Sequence, residues 1–226
     1  RPNWYAPSGI EPKMEYSYGK QNWFEYSARE HNAVRNNVGL FDQTSFAKFI
    51  IAGDDAEHVL QNICANNVGV NKGTVVYTAM LNDRGGIEAD VTVTRLEVDK
   101  YMIVTSSSTS TRDMRWIKNN ILEGTHCFVT DVTSSYAVLG LMGPNSRELL
   151  SQIVDVDVSN DKFPYMTAQY MYLGYIRVLG LRVSYVGELG WELYIPIESA
   201  INVYENVIDK CNGIDVVHAG FFAMDS

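Results

Sequence analysis

Acidic side chains beside glycines and aromatic residues are the groups in this sequence best suited to chemistry. In the segment 86–94 apolar and polar residues alternate, so a β-strand would direct Ala89, Val91 and Val93 to one face. If that face packs on the core, Asp90 points to solvent or into a cleft. A carboxylate in a cleft can move a proton or stabilise a developing positive charge, whereas a solvated strand aspartate explains the same pattern without chemistry.

A second carboxylate of this kind belongs to Glu192. The segment 181–196 is predicted to form a hairpin with glycine at its bend. In its second strand, Glu192 and Tyr194 share one face, and apolar residues occupy the other. The apolar residues are Trp191, Leu193 and Ile195. A purely structural hairpin is the alternative interpretation of this segment.

Several common chemistries have no motif here. The four histidines lack close metal-ligand spacing, so we expect no metal site, and neither a P-loop nor a G-x-S-x-G elbow occurs. Three widely spaced cysteines form no Cys-x-x-Cys pair, which favours buried free thiols and a reducing compartment. These residues are His31, His58, His126 and His218, and Cys64, Cys127 and Cys211.

Composition indicates a soluble globular protein. The 226 residues are 46% hydrophobic and 20% charged, and no apolar run approaches the roughly 20 residues that cross a bilayer. A net charge of −9 disfavours nucleic-acid binding, which needs a basic surface. The N-terminus resembles neither a signal peptide nor a transit sequence, and residues 219–226 begin an apolar helix that stops after about two turns. We therefore expect a piece of a longer protein.

Hydrophobic periodicity predicts mixed helices and strands after an irregular aromatic arm at residues 1–27. A glycine-rich turn at 82–86 is predicted to join two strands into a hairpin. Helices are predicted over 28–38, 55–63, 108–121 and 198–211, and strands over 46–51, 75–81, 88–96, 101–105 and 126–132.

The sequence also contains an internal echo. The strand, glycine turn and helix around Gly53 recur 90 residues later around Gly143, with Leu60 and Leu150 at matching helix positions. This repeat predicts an α+β fold of two related βαββα units with mostly antiparallel sheets. A parallel Rossmann sheet is disfavoured, because the hairpins lack crossover helices and no G-x-G-x-x-G motif occurs.

Longer motifs carry a family resemblance over essentially the whole chain. They are Gly39-Leu40-Phe41-Asp42, residues 77–86 leading to Asp90, Gly143-Pro144, and residues 185–192. In this order they resemble the glycine cleavage T-protein, or aminomethyltransferase, family. Residues 1–4, 80–86 and 187–193 look most like the folate-binding C-terminal region of sarcosine and dimethylglycine dehydrogenases.

The resemblance implies a fold of three parts that bind tetrahydrofolate in a central hole where the domains meet. Residues 1–50 and 132–226 would form a discontinuous first folate-binding domain, and residues 51–131 an inserted second domain. The C-terminal barrel of the family, whose arginines help to hold the glutamyl tail of folate, would be missing.

Site residues follow from the same resemblance. Asp90 matches the catalytic carboxylate near N5 and N10 of folate, and Glu192 the carboxylate that reads the pterin edge. Tyr77 and Tyr185 match aromatic residues that line the pocket, so one cleft is expected to hold all four. Ser106 stands where many members have an asparagine that helps to hold the pterin, so one polar contact differs.

The implied function is transfer of a one-carbon group to tetrahydrofolate to form 5,10-methylenetetrahydrofolate. The group would come from oxidation of a small amine on an upstream flavin domain, so FAD would lie outside this chain. Alternatives are a stand-alone aminomethyltransferase, a folate-dependent demethylase, or a non-catalytic regulatory module of the same fold. The protein would be cytoplasmic in a bacterium and in the mitochondrial matrix of a eukaryote, without nucleic-acid or membrane partners.

Overall fold

The structure is a computed structural model that describes residues 2–210 and 213–226, so the predicted thiol of Cys211 and the end of the helix predicted over 198–211 lie outside the described residues. Within these ranges the chain forms six α-helices and eleven β-strands. The helices are α1 Phe24–Asn36, α2 Ala56–Ile63, α3 Ser110–Asn119, α4 Ser146–Ile153, α5 Ala200–Asp209 and α6 Phe221–Met224. The strands are β1 Val38–Asp42, β2 Ala47–Ala52, β3 Val75–Leu81, β4 Ile87–Glu97, β5 Lys100–Thr105, β6 Phe128–Asp131, β7 Tyr136–Met142, β8 Ala168–Leu173, β9 Ile176–Leu181, β10 Gly190–Pro196 and β11 Val216–His218.

The strands form two sheets. One has the order β11-β1-β7-β10-β9-β8 and the other the order β3-β4-β5-β2-β6. Strands β1 and β11 are parallel, whereas β1–β7, β9–β10, β2–β5, β2–β6, β3–β4 and β4–β5 are antiparallel. The predicted α+β class with mostly antiparallel sheets is confirmed.

The first compact unit comprises the described parts of residues 1–44, 137–165 and 170–226. Its core forms where apolar faces of α4 and α5 pack with the six-stranded sheet. Trp191, Leu193 and Ile195 of β10 are fully buried there, so the apolar face predicted for this strand is confirmed. Burial of such side chains stabilises the fold by about 1.5–3 kcal/mol each.

The second compact unit comprises residues 45–136 and 166–169. Its core includes Phe49 of β2, Leu60 of α2 and Ile103 of β5. Residues 166–169 cover the edge of β3, because Val75 N donates to Met166 O at 2.9 Å and Ala168 N donates to Gly73 O at 2.7 Å. The predicted domain boundaries stay a prediction, and the one between residues 50 and 51 falls inside β2.

The internal echo is confirmed in both units. Helices α2 and α4 have eight residues each and start 90 positions apart, after Gly53 with φ 133° and Gly143 with φ 139°. A Cβ at Gly53 would lie 2.1 Å from His126 O, and one at Gly143 would lie 2.1 Å from Asn37 O. Both turns therefore require glycine. The sheet orders β3-β4-β5-β2 and β8-β9-β10-β7 also correspond.

Some local predictions differ from the structure. The helix predicted over 28–38 ends at Asn36, and Val38 already belongs to β1. Four of the five residues of β1 are buried, so the strand lacks the alternation that would reveal it. Ile121 lies beyond the end of α3, and residues 182–189 form a loop rather than a strand.

Candidate functional site

Asp90 and Tyr77 form a hydrogen-bonded pair on the hairpin of β3 and β4. Asp90 lies opposite Ala79 in the register, so Tyr77 is its diagonal neighbour on the same face. Tyr77 Oη donates to Asp90 Oδ2 at 2.9 Å. The carboxylate is exposed and the tyrosine is 60% exposed, while Ala89 and Val91 are buried behind them. The predicted outward direction of Asp90 is confirmed.

Ser106 follows the end of β5 and begins a helical turn. Its Oγ accepts a hydrogen bond from Ser108 N at 3.4 Å and shares one with Ser108 Oγ at 2.9 Å. The hydroxyl thus caps the turn that leads into α3. The sequence did not reveal the buried carboxylate of Asp113 in α3. It accepts hydrogen bonds from Thr105 Oγ1 at 2.7 Å and Thr109 Oγ1 at 2.6 Å. This network fixes the backbone on both sides of Ser106.

Glu192 is held by a tyrosine on its own strand. It is only 8% exposed, and Tyr194 Oη donates to its Oε2 at 2.8 Å. Burial and the nearby Glu192 carboxylate raise the pKa of Tyr194 well above 10, so its hydroxyl remains protonated and donates throughout the physiological range. The sequence placed both residues on one face of β10, but it did not indicate that this face is buried as well.

Tyr185 lies in the loop between β9 and β10 and is 62% exposed. The same loop is tied to α1, because Arg35 Nη1 lies 2.8 Å from Glu188 Oε1. Gly187 has φ 75°, a left-handed conformation that favours glycine and turns the chain toward β10. The aromatic ring is therefore presented by an anchored loop and not by a hairpin strand.

The predicted site residues fall into two groups. The second unit contains Tyr77, Asp90 and Ser106, and Tyr77 donates a hydrogen bond to Asp90. Tyr185 and Glu192 belong to the first unit. That all of them face one cleft stays a prediction.

The described cysteines offer little chemistry. Cys64 and Cys127 are buried free thiols, and burial raises the pKa of Cys64 to about 12, so its thiolate is scarce at neutral pH. Among residues 2–210 and 213–226, no group of three or more His, Cys, Asp or Glu could hold a metal ion. No described helix combines the length and apolar character needed to cross a membrane.

A family model, the GCVT N-terminal domain, matches residues 1–226. The chain belongs to this family. It is 42% identical over 226 residues to 4-methylaminobutanoate oxidase (formaldehyde-forming) of Paenarthrobacter nicotinovorans, covering 100% of this chain and 27% of that protein. It is 30% identical over 227 residues to mitochondrial dimethylglycine dehydrogenase of Rattus norvegicus, covering 100% of this chain and 26% of that protein. The chain thus spans about a quarter of the length of these curated relatives.

The fold has a counterpart among solved structures. Glycine cleavage system aminomethyltransferase T from Bartonella henselae superposes with a TM-score of 0.77 at 23% identity, covering 94% of this chain and 57% of that one. The predicted resemblance to the T-protein family and to the dehydrogenases is confirmed. The chain is an aminomethyltransferase-like module related to dimethylglycine dehydrogenase.

Proposed function

We propose that this chain is a tetrahydrofolate-dependent one-carbon transfer module that forms 5,10-methylenetetrahydrofolate. The observation that carries the proposal is the buried Glu192 carboxylate, fixed by Tyr194 Oη at 2.8 Å on β10, where residues 190–195 are all buried. A carboxylate held in this way can accept two parallel N–H groups from a flat heterocycle with charge-assisted strength. The amino group and ring N–H of a pterin offer that pair of donors.

The exposed tyrosines assigned to the site suit a flat aromatic ligand such as a pterin. Tyr77 and Tyr185 are each about 60% exposed, so their rings can cover an aromatic ligand. Aromatic pairs of this kind contribute about 0.5–1.5 kcal/mol beyond area burial. We assign pterin recognition to Glu192, ring contacts to Tyr77 and Tyr185, and a polar contact to Ser106.

Asp90 is assigned the catalytic role. Tetrahydrofolate supplies two amine nitrogens, N5 and N10, as the acceptors of the one-carbon unit. The carboxylate of Asp90 would stabilise positive charge on the bound folate amines or accept their proton, and the Tyr77 hydroxyl, which donates to Asp90 Oδ2 at 2.9 Å, would keep it oriented.

The parent protein is proposed to oxidise a small methylated amine on an upstream flavin domain. Two relatives support this, because those from Paenarthrobacter nicotinovorans and Rattus norvegicus are an oxidase and a dehydrogenase of methylated amines. The transfer module would capture the released one-carbon group before it escapes as formaldehyde.

Two substitutions in the full-length protein test the assignment. Glu192→Ala removes a charged hydrogen-bond partner worth about 2–3 kcal/mol, so the Kd for tetrahydrofolate should rise about 30–150-fold. Asp90→Asn keeps the shape and removes the charge, so affinity should stay within a few-fold while formation of the methylene product slows. Folate titration and product assays measure the two effects.

The matched control is Asp99→Asn, an exposed aspartate in the turn between β4 and β5. It should change neither affinity nor product formation. Amine oxidation should survive in all three variants, with free formaldehyde accumulating in the first two. Unchanged affinity in Glu192→Ala together with unchanged product yield in Asp90→Asn would refute the proposal and favour a regulatory module.

A further inference from the structure

A second candidate site lies within the first unit, and none of the residues assigned above lines it. It is a pocket of about 370 Å³ at the end of β1. Strands β1, β7 and β11, helix α5 and the N-terminal arm all contribute to its wall. The side chains that matter for the argument are Tyr5, Asp42, Leu139, Ile201, Tyr204 and His218.

Three aromatic rings form one side of the pocket. The His218 ring lies between two tyrosines, with ring centroids 5.3 Å from Tyr5 and 5.7 Å from Tyr204. Tyr204 Oη and His218 Nε2 also share a hydrogen bond of 2.8 Å. Burial lowers the pKa of His218, so its ring is uncharged at neutral pH and does not repel a cation.

Asp42 gives the pocket its charge. Its Oδ1 accepts a hydrogen bond from Thr44 N at 3.0 Å. The described lining includes no lysine or arginine that would neutralise this carboxylate. Burial and the carboxylates of Asp42 and Glu30 raise the pKa of Tyr5, as expected where the potential is negative.

The aromatic wall is held in place before any ligand binds. Tyr5 N donates to Glu30 Oε1 at 2.6 Å, and Glu30 Oε2 accepts from Gly220 N at 2.8 Å. Glu30 is only 3% exposed, so this buried carboxylate fastens the N-terminal arm beside β11. Rigid walls reduce the entropy that binding must overcome.

We propose that this pocket binds a small methylated ammonium ion. Its positive charge would lie near Asp42 and the aromatic rings, which attract cations through their electron-rich faces. Its methyl groups would contact the apolar side chains of Leu139 and Ile201. Neither Asp90 nor Glu192 lines the pocket, so this site is independent of the folate assignment.

The test compares choline with its uncharged isostere 3,3-dimethylbutan-1-ol by calorimetric titration of the full-length protein. Choline should bind saturably, and the neutral alcohol should bind about tenfold more weakly or not at all. Asp42→Asn should weaken choline binding by about tenfold or more, because it removes the charge and keeps the shape. The control Glu205→Gln changes an exposed carboxylate on α5 outside the pocket and should leave choline affinity unchanged.

A second variant locates the site without touching its carboxylate. Ile201 is 73% exposed, so Ile201→Lys is compatible with folding and places an ammonium group at the pocket. It should abolish choline binding. Equal affinities for choline and the alcohol, or choline binding that survives both Asp42→Asn and Ile201→Lys, would overturn the proposal.

Discussion

The pair of Tyr194 and Glu192 makes the structure open to a direct test through Tyr194→Phe. Tyr194 is only 1% exposed, and its hydroxyl donates to Glu192 Oε2 at 2.8 Å. Phenylalanine keeps the ring and its packing, so the substitution removes little besides this hydrogen bond. The carboxylate, itself 8% exposed, loses a donor that water cannot readily replace.

The expected cost follows from the charge of the acceptor. Hydrogen bonds to charged groups contribute about 1.5–3 kcal/mol, so the free energy of unfolding should fall by about that amount. For a domain of this size each kcal/mol shifts the Tm by about 2–4 °C, which gives a decrease of roughly 3–12 °C. The control Tyr172→Phe, at a 45% exposed position on β8, should change stability by less than about 0.5 kcal/mol.

Urea unfolding of four proteins measures the coupling. These are the wild type, Tyr194→Phe, Glu192→Gln and the double variant. If the two groups act together, the cost of losing the hydroxyl should shrink by more than about 1 kcal/mol when Glu192 is already uncharged. A cost that is equal in both backgrounds would show that Tyr194 does not hold Glu192, and the argument for a fixed pterin-binding carboxylate would fail.

Two further expectations concern stability alone. Gly143→Ala should lower the free energy of unfolding in urea by more than about 3 kcal/mol, because the new Cβ would lie 2.1 Å from Asn37 O. The control Gly124→Ala, whose Cβ would meet nothing within 4 Å, should lower it by about 1 kcal/mol. An equal loss in both would contradict the assigned turn. Burial raises the pKa of Tyr101 to about 12, with Arg95 opposing the shift and Glu57 adding to it. The stability that protonated Tyr101 contributes is therefore complete below pH 10 and is lost as the pH rises toward 12. Tyr101→Phe should therefore lose less stability than the wild type between these pH values, and parallel pH profiles would rule this out.

The sequence predicted those strands and helices in which apolar and polar residues alternate or which belong to the internal repeat. Strand β3 was predicted over residues 75–81, as observed, and the echo around Gly53 and Gly143 located α2 and α4. Strand β1 was missed because nearly all of its residues are buried, which leaves no period of two to detect.

Alternation of apolar and polar residues also predicted part of the candidate site. Alternation indicated the outward face of Asp90, since the opposite face is apolar, and the register then placed Tyr77 diagonal to it. The burial of Glu192 depends on what packs over β10, and the contact of Glu30 with Gly220 joins residues 190 positions apart. Neither has a local signature, because both arise only from tertiary packing.

The second unit needs residues 166–169 if it is to be produced in isolation. A polypeptide ending at Tyr136 would contain every strand of the five-stranded sheet but not the residues that cover β3. Val75 N and Gly73 O would then face solvent along an open edge, where another copy of the sheet can add its own strand. Such an excised fragment should self-associate, and adding back a peptide equivalent to residues 166–169 through a short linker should restore a soluble monomer.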